Sequence, residues 1–228
     1  NEDHKIIQKI VKRLREKGAE VIIIDDGSEK PVKGAILHGF NAGYGGALLT
    51  GIRNSTRPLV LTMDSDGQHQ VKDAVNLYKA FKMIGCDMLI GTRRLKYEKW
   101  HRMWGRKMLN AFASLFATFY FQDLNSGMRI FKRDIAYGYH SILCRTFSFT
   151  TSLTMSMICD GYRVETFPIN VMERAYGSSR VNVIKHGFIN LYYIVRIGSA
   201  IRTRKLRSFL RKFKLWNYLT GKGWRILP

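Results

Sequence analysis

Apolar positions Ile6, Ile7, Ile10, Val11 and Leu14 recur at helical spacing, and Gly18 closes the pattern as a C-cap would. Val21-Ile22-Ile23-Ile24 follows, a β-branched run that reads as a buried parallel strand ending in the polar turn Asp25-Asp26-Gly27-Ser28. A helix is predicted from about Tyr44 to Arg53. Pro58 leads into a second apolar strand, Leu59–Met63, which also ends in acids, Asp64-Ser65-Asp66-Gly67. A helix from Val71 to Met83 and a third strand, Asp87–Gly91, complete a β-α-β-α-β alternation. That order predicts an α/β fold, a mostly parallel sheet flanked by helices. Ligands on such sheets bind beyond the strand carboxyl ends, where both acidic turns fall.

The second half is less regular. A long helix is expected from about Trp100 to Phe121, a strand near Met128–Phe131, a helix around Thr151–Cys159, and strands near Arg163–Val171, followed by two basic helical segments. There is no internal repeat and no low-complexity linker. One domain over 1–182 with a basic amphipathic segment over 183–228 is the expected organisation.

Composition changes this picture through charge. Of 228 residues, 46% are apolar and 24% charged, which excludes a disordered or collagen-like chain. The formal charge is +21, which calls for an anionic partner. After Glu173 there is no acid, and nine Lys/Arg lie between Arg202 and Arg225. Interleaved Leu206, Phe209, Leu210, Phe213, Leu215 and Trp216 give that tail an apolar side suited to lying on an anionic membrane surface. A spanning helix needs about 20 apolar residues. Met108–Phe121 is shorter and contains Asn110 and Ser114, and Val183–Ile201 is broken by Lys185, His186 and Arg196, so no transmembrane helix is expected. No apolar targeting core follows Asn1. Cys86, Cys144 and Cys159 have no metal-ligand spacing, which favours a reduced, cytosol-facing protein. No zinc-finger spacing or aromatic RNA-binding signature is present, so no nucleic-acid partner is expected.

Three constellations carry chemistry. Asp64 and Asp66, two residues apart at the end of a buried strand, need a positive partner, and a hard divalent cation fits best. Gly67 makes the turn, and Gln68 and His69 stand where they can add or orient a ligand. Asp25 and Asp26 lie where nucleotide-binding sheets present acids to ribose or base. Asn41-Ala42-Gly43-Tyr44-Gly45-Gly46 precedes a helix as a phosphate loop would, but Leu48 breaks G-x-G-x-x-G, leaving a glycine turn of close backbone approach. Arg93, Arg94, Arg102, Arg106 and Arg174 to Arg180 supply guanidinium forks that match phosphate oxygens.

In order, Val21–Ser28, Asn41-x-Gly43-x-Gly45, Asp64–His69, Gly91-Thr92-Arg93, Asp123-Leu124-Asn125-Ser126-Gly127-Met128-Arg129 and Arg174-x-x-Gly177-x-Ser179-Arg180 resemble family 2 glycosyltransferases of the GT-A fold. The Asp-x-x-Ser-Gly-x-Arg block and Phe147–Thr154 are similar to the polyprenyl-phosphate group, dolichol-phosphate mannose synthase-like. The resemblance implies that Glu2, Asp25, Asp26, Asn41, Gly45, Ser179 and Arg180 serve the nucleotide-sugar donor, UDP- or GDP-linked. It implies that Asp64, Asp66 and Gln68 hold Mg²⁺ or Mn²⁺. Arg93, Arg102 and Arg174 would bind the acceptor phosphate or the leaving diphosphate, and Asp123 would act as a base or position an arginine. Met128 stands for a usual Phe and Arg180 for a usual Lys. The family's first strand ends Pro-x-x-Asn-Glu, and only Asn1-Glu2 of that element is seen here. The implied reaction moves a hexose, with inversion, to a polyprenyl phosphate (undecaprenyl or dolichyl) at the cytoplasmic face of a membrane. Competing readings are a family 2 transferase acting on a sugar hydroxyl in glycan or polysaccharide synthesis, and a non-enzymatic basic membrane-binding remnant. A haloacid-dehalogenase-type phosphatase needs a second acidic pair downstream of Asp66. No two acids there lie within four residues of each other.

Overall fold

The computed structural model describes residues 2–93, 123–172 and 187–200, with Lys107 and Ala111 as isolated helical positions. Helix α1 (Glu2–Arg15) buries Val11 and lies on helix α3 (Val71–Ile84). It ends where Gly18, at φ 79°, lets the Ala19 N–H return to the Leu14 carbonyl. Strand β1 (Ile24–Asp25) pairs in parallel with β2 (Ile36–Leu37) as a separate two-stranded sheet. The expected buried strand over Val21–Ile24 is therefore corrected. Only Ile24 enters the ladder, and Val21 to Ile24 are half-buried. Among the described residues its ladder partner is β2, two residues long with exposed side chains, so a β-branched run that could line a core has little sheet to pack on.

The larger sheet has the order β3-β5-β4-β6, from β3 (Leu59–Thr62), β4 (Met88–Arg93), β5 (Arg129–Lys132) and β6 (Val164–Ile169). Strands β3, β4 and β6 point the same way, as the alternation predicts, while β5 runs antiparallel between β3 and β4. An inserted antiparallel strand starts where its neighbours finish. Arg129, the first residue of β5, is in register with Thr62, the last of β3, and with Ile90 of β4. The segment Asp123–Met128 is thereby delivered to the carboxyl ends of both neighbours, beside Asp64.

Side chains alternate across this sheet with the two-residue strand period. Met88, Ile90 and Phe131 face one core, completed by Leu49 and Ile52 of helix α2 (Tyr44–Asn54), Ala136 of α4 (Arg133–Gly138), and Phe149, Leu153 and Met157 of α5 (Phe149–Cys159). Leu89 and Ile130 face the other, with Ala74, Leu77 and Phe81 of α3. Each fully buried Leu, Ile or Phe contributes about 1.5–3 kcal/mol. Every residue of α5 from Phe149 to Met157 is buried, hydroxyls included. Two of these return to the helix itself, Ser152 Oγ to Phe149 O and Thr154 Oγ1 to Thr150 O. The expected helix over Trp100–Phe121 lies outside the described residues apart from Lys107 and Ala111, as do the basic segments apart from helix α6 (187–200). Among the described residues, no helix is long and apolar enough to cross a membrane.

Candidate active site

The two acidic turns are joined through the N-terminus of α2. Asp26 accepts the backbone N–H groups of Ala42 and Gly43, both at 2.8 Å, and pairs with His38 Nδ1 at 2.6 Å. His38 Nε2 in turn meets Thr50 Oγ1 at 2.9 Å. Tyr44, next in the chain after Gly43, donates its hydroxyl to Asp64 Oδ1 at 3.0 Å. Burial, and then the Asp64 charge, raise the Tyr44 phenol well above its ordinary pKa. It therefore stays a donor at physiological pH.

Asp25 is buried and accepts the N–H groups of Ser28 and Val32, both at 2.9 Å. Burial pushes its carboxyl pKa upward, but these backbone donors outweigh it and leave the carboxyl below its ordinary value. Both acids of the first turn thus brace their own surroundings. Asn41 is exposed, and its side chain accepts the Gly43 N–H at 3.0 Å. The glycines are required by packing: a Cβ on Gly45 would collide with the Cys144 carbonyl, and one on Gly43, at φ 82°, would lie 2.7 Å from the Arg145 carbonyl.

The Asp64–Asp66 turn is held from several sides. The Asp64 N–H donates to Nδ1 of buried His69 at 3.2 Å, so His69 orients the turn. Asp66 Oδ1 accepts the Gln68 N–H at 3.1 Å, and the Gln68 side-chain amide reaches the Met172 carbonyl at 3.4 Å. A Cβ on Gly127 would collide with the Asp64 carboxylate, so only glycine allows this approach. Thr62 Oγ1 donates to the Gly127 carbonyl at 2.7 Å and locks the contact. Among the described residues no three His, Cys, Asp or Glu gather as a protein-only metal cage. Asp64 and Asp66 offer carboxylate oxygens, the ligand chemistry of a hard divalent cation.

On the other side, Arg93 is clasped by Asp123 through Nε–Oδ2 at 2.8 Å and Nη2–Oδ1 at 2.9 Å. The Asp123 side chain is only 2% exposed, whereas that of Arg93 is 28% exposed. Both Asp123 oxygens are engaged, an arrangement suited to aiming an arginine rather than taking a proton. Arg129, which the sequence reading did not single out, is wholly buried under this loop. Tyr44 and Gly127 were also not assigned roles. The signals were present: Arg129 closes the Asp-x-x-Ser-Gly-x-Arg block at the start of an apolar strand, and Tyr44 opens a helix after a glycine turn. Glu2 begins α1, and its side chain is outside what is described. Arg102, Arg174, Ser179 and Arg180 lie outside the described residues. A cleft of about 410 Å³ between α1 and α3, lined by Arg13, Lys17, Lys72 and neighbours, includes none of the predicted site residues.

The family model for glycosyl transferase family 2 matches residues 1–149. The chain is 28% identical over 211 residues to an uncharacterized protein of Methanocaldococcus jannaschii, covering 85% of this chain and 87% of that protein. It is 26% identical over 219 residues to an undecaprenyl-phosphate mannosyltransferase of Micrococcus luteus, covering 84% and 87%. In fold it is similar to glucosyl-3-phosphoglycerate synthase of Mycobacterium tuberculosis, solved with Mn²⁺, UDP and phosphoglyceric acid. That likeness has a TM-score of 0.58 at 15% identity, over 78% of this chain and 67% of the other. With the acidic turn at the end of β3 and this α/β architecture, the match places the chain in glycosyltransferase family 2, as an enzyme of the GT-A fold.

Proposed function

We propose that this glycosyltransferase moves a hexose from a UDP- or GDP-linked sugar to a polyprenyl phosphate, with inversion. The observation that carries this reading is the engagement of both Asp123 oxygens by Arg93. A sugar-hydroxyl acceptor needs a carboxylate free to take its proton. A phosphate monoester, with a second pKa near about 6, is already largely ionised at neutral pH and needs none. The difficulty is then charge, because an anionic acceptor must approach an anionic donor. The relative that is an undecaprenyl-phosphate mannosyltransferase supports the acceptor class.

An acceptor phosphate oxygen attacks the anomeric carbon, the bond from that carbon to the donor diphosphate breaks, and the nucleoside diphosphate leaves with the electron pair. Arg93, aimed by Asp123, steers the acceptor phosphate, with Arg102 and Arg174 assigned to the same anions. Asp64, Asp66 and Gln68 would hold the divalent cation, Mg²⁺ or Mn²⁺, which would neutralise charge on the departing diphosphate. Asp25 and Asp26 serve the nucleoside, Asp26 through the loop it braces, which carries Asn41 and Gly45. Ser179 and Arg180 complete the donor side, with Glu2 at the start of α1. Residues 1–182 form the catalytic domain, and 183–228 hold it peripherally on the cytoplasmic face of an anionic membrane. Each Lys or Arg near such a surface contributes about 1 kcal/mol.

The test is incubation of the full chain with Mn²⁺ or Mg²⁺, a panel of nucleotide sugars and polyprenyl phosphate in anionic vesicles. Glycosyl-phosphoprenol of inverted configuration is expected. Transfer to sugar hydroxyls with none to polyprenyl phosphate would overturn the reading.

A further inference from the structure

Arg129 is a buried guanidinium whose hydrogen-bond partners among the described residues include no carboxylate. Nε and Nη2 both donate to the Ser126 carbonyl, Nη2 also donates to Leu124 O at 3.1 Å, and Nη1 donates to Thr150 O at 3.0 Å and Thr154 Oγ1 at 2.8 Å. Every donor of the fork is used, and every acceptor is neutral. Burial pulls its pKa down to about 10, while Tyr44, Asp123 and Asp64 favour the charged form, so it is a cation at neutral pH.

Such a charge is costly to bury for stability alone. Its acceptors show what it holds. Leu124 and Ser126 belong to the loop whose first residue, Asp123, clasps Arg93 and whose Gly127 presses on Asp64. Thr150 and Thr154 belong to α5, which is buried on all sides and provides a fixed wall. Asn125 is tied to the same wall by Thr151 Oγ1 at 2.8 Å. In register, Arg129 stands between the last residue of β3 and Ile90 of β4.

We infer that Arg129 is a positioning residue for both halves of the site: by fastening the Asp123–Gly127 loop to α5, it sets where the Asp64 carboxylate and the Arg93 guanidinium stand relative to each other. The inference rests on the proposed division of labour between Asp64–Asp66 and Arg93, and the test separates the two. Lysine keeps the charge but lacks the planar five-donor fork. In the full chain, Arg129→Lys and Arg129→Met are expected to speed amide hydrogen exchange across 123–128 about tenfold or more while α3 keeps its protection. Mn²⁺ affinity, measured with the metal alone, is expected to fall about 10–100-fold, the usual effect of removing a group that orients a ligand. Loss of folded molecules would lower the number of Mn²⁺ sites instead, leaving their affinity unchanged. Should Arg129→Met not fold, Thr154→Val removes one acceptor from the fork and shifts exchange in the same direction by less. Local exchange that stays at the wild-type level in Arg129→Lys and Thr154→Val overturns the inference, as does exchange that rises uniformly through the domain. A wild-type protein that takes up no Mn²⁺ counts against the metal reading, and the exchange comparison still decides the role of Arg129.

Discussion

The turns after β1 and β3 carry similar acidic sequences but lie in different settings. Asp25 and Asp26 receive the backbone N–H groups of Ser28, Val32, Ala42 and Gly43, and Ile24, Ile36 and Leu37 of the small sheet beside them are half-buried or exposed. Asp64 receives a tyrosine hydroxyl and lies against Gly127, at the edge of a sheet whose central strands are buried. Asp25 and Asp26 tie their own loops together through these N–H groups, with His38 also on Asp26. Asp64 instead meets a side-chain hydroxyl and a glycine surface, and Asp66 beside it accepts the Gln68 N–H. Similar acidic turns therefore sit among different donors, a difference that sequence similarity does not reveal.

The largest expected effect breaks the chemical side of this comparison. Asp66→Asn keeps an oxygen for the Gln68 N–H but loses the charge. It is expected to lower kcat about a thousandfold, several kcal/mol of charge stabilisation, with an unchanged melting curve. Equal turnover would sink the cation-site assignment. Next is Phe131→Ala in the buried centre, expected to cost about 3–5 kcal/mol by urea titration. Asp25→Asn tests the brace and is expected to cost about 2 kcal/mol at neutral pH. Its pH dependence has a definite sign. Because the folded carboxyl titrates below its ordinary value of 3.8, its contribution is complete above that value and vanishes as pH falls through the folded one. Urea midpoints from pH 6 to pH 2.5 should therefore fall less steeply in Asp25→Asn than in wild type, and parallel curves would refute the brace. The smallest effect is Leu37→Ala in β2, where the side chain is 56% exposed: a change within about 0.5 kcal/mol. A loss comparable to that of Phe131→Ala would show that the two regions do not differ as described.

The amphipathic faces of α1 and α3, the glycine stop after α1, the acidic turns at strand ends and the excess of basic residues were legible in the chain itself. Each depends on neighbours a few residues apart, where periodicity and turn chemistry act. The family-like order of motifs was legible for the same reason. Tertiary pairing decided the rest. Nothing local distinguishes β5 from a strand at the sheet edge, yet its insertion between β3 and β4 brings Gly127 to Asp64 and Asp123 to Arg93. The Thr62–Gly127 hydrogen bond spans 65 positions. Burial was decided at the same level: Val21–Ile24 has the composition of a core strand but half-buried side chains, while Arg129, an arginine, is enclosed completely. A side chain's own hydrophobicity sets what its burial is worth, but whether it is buried depends on which distant segments pack against it.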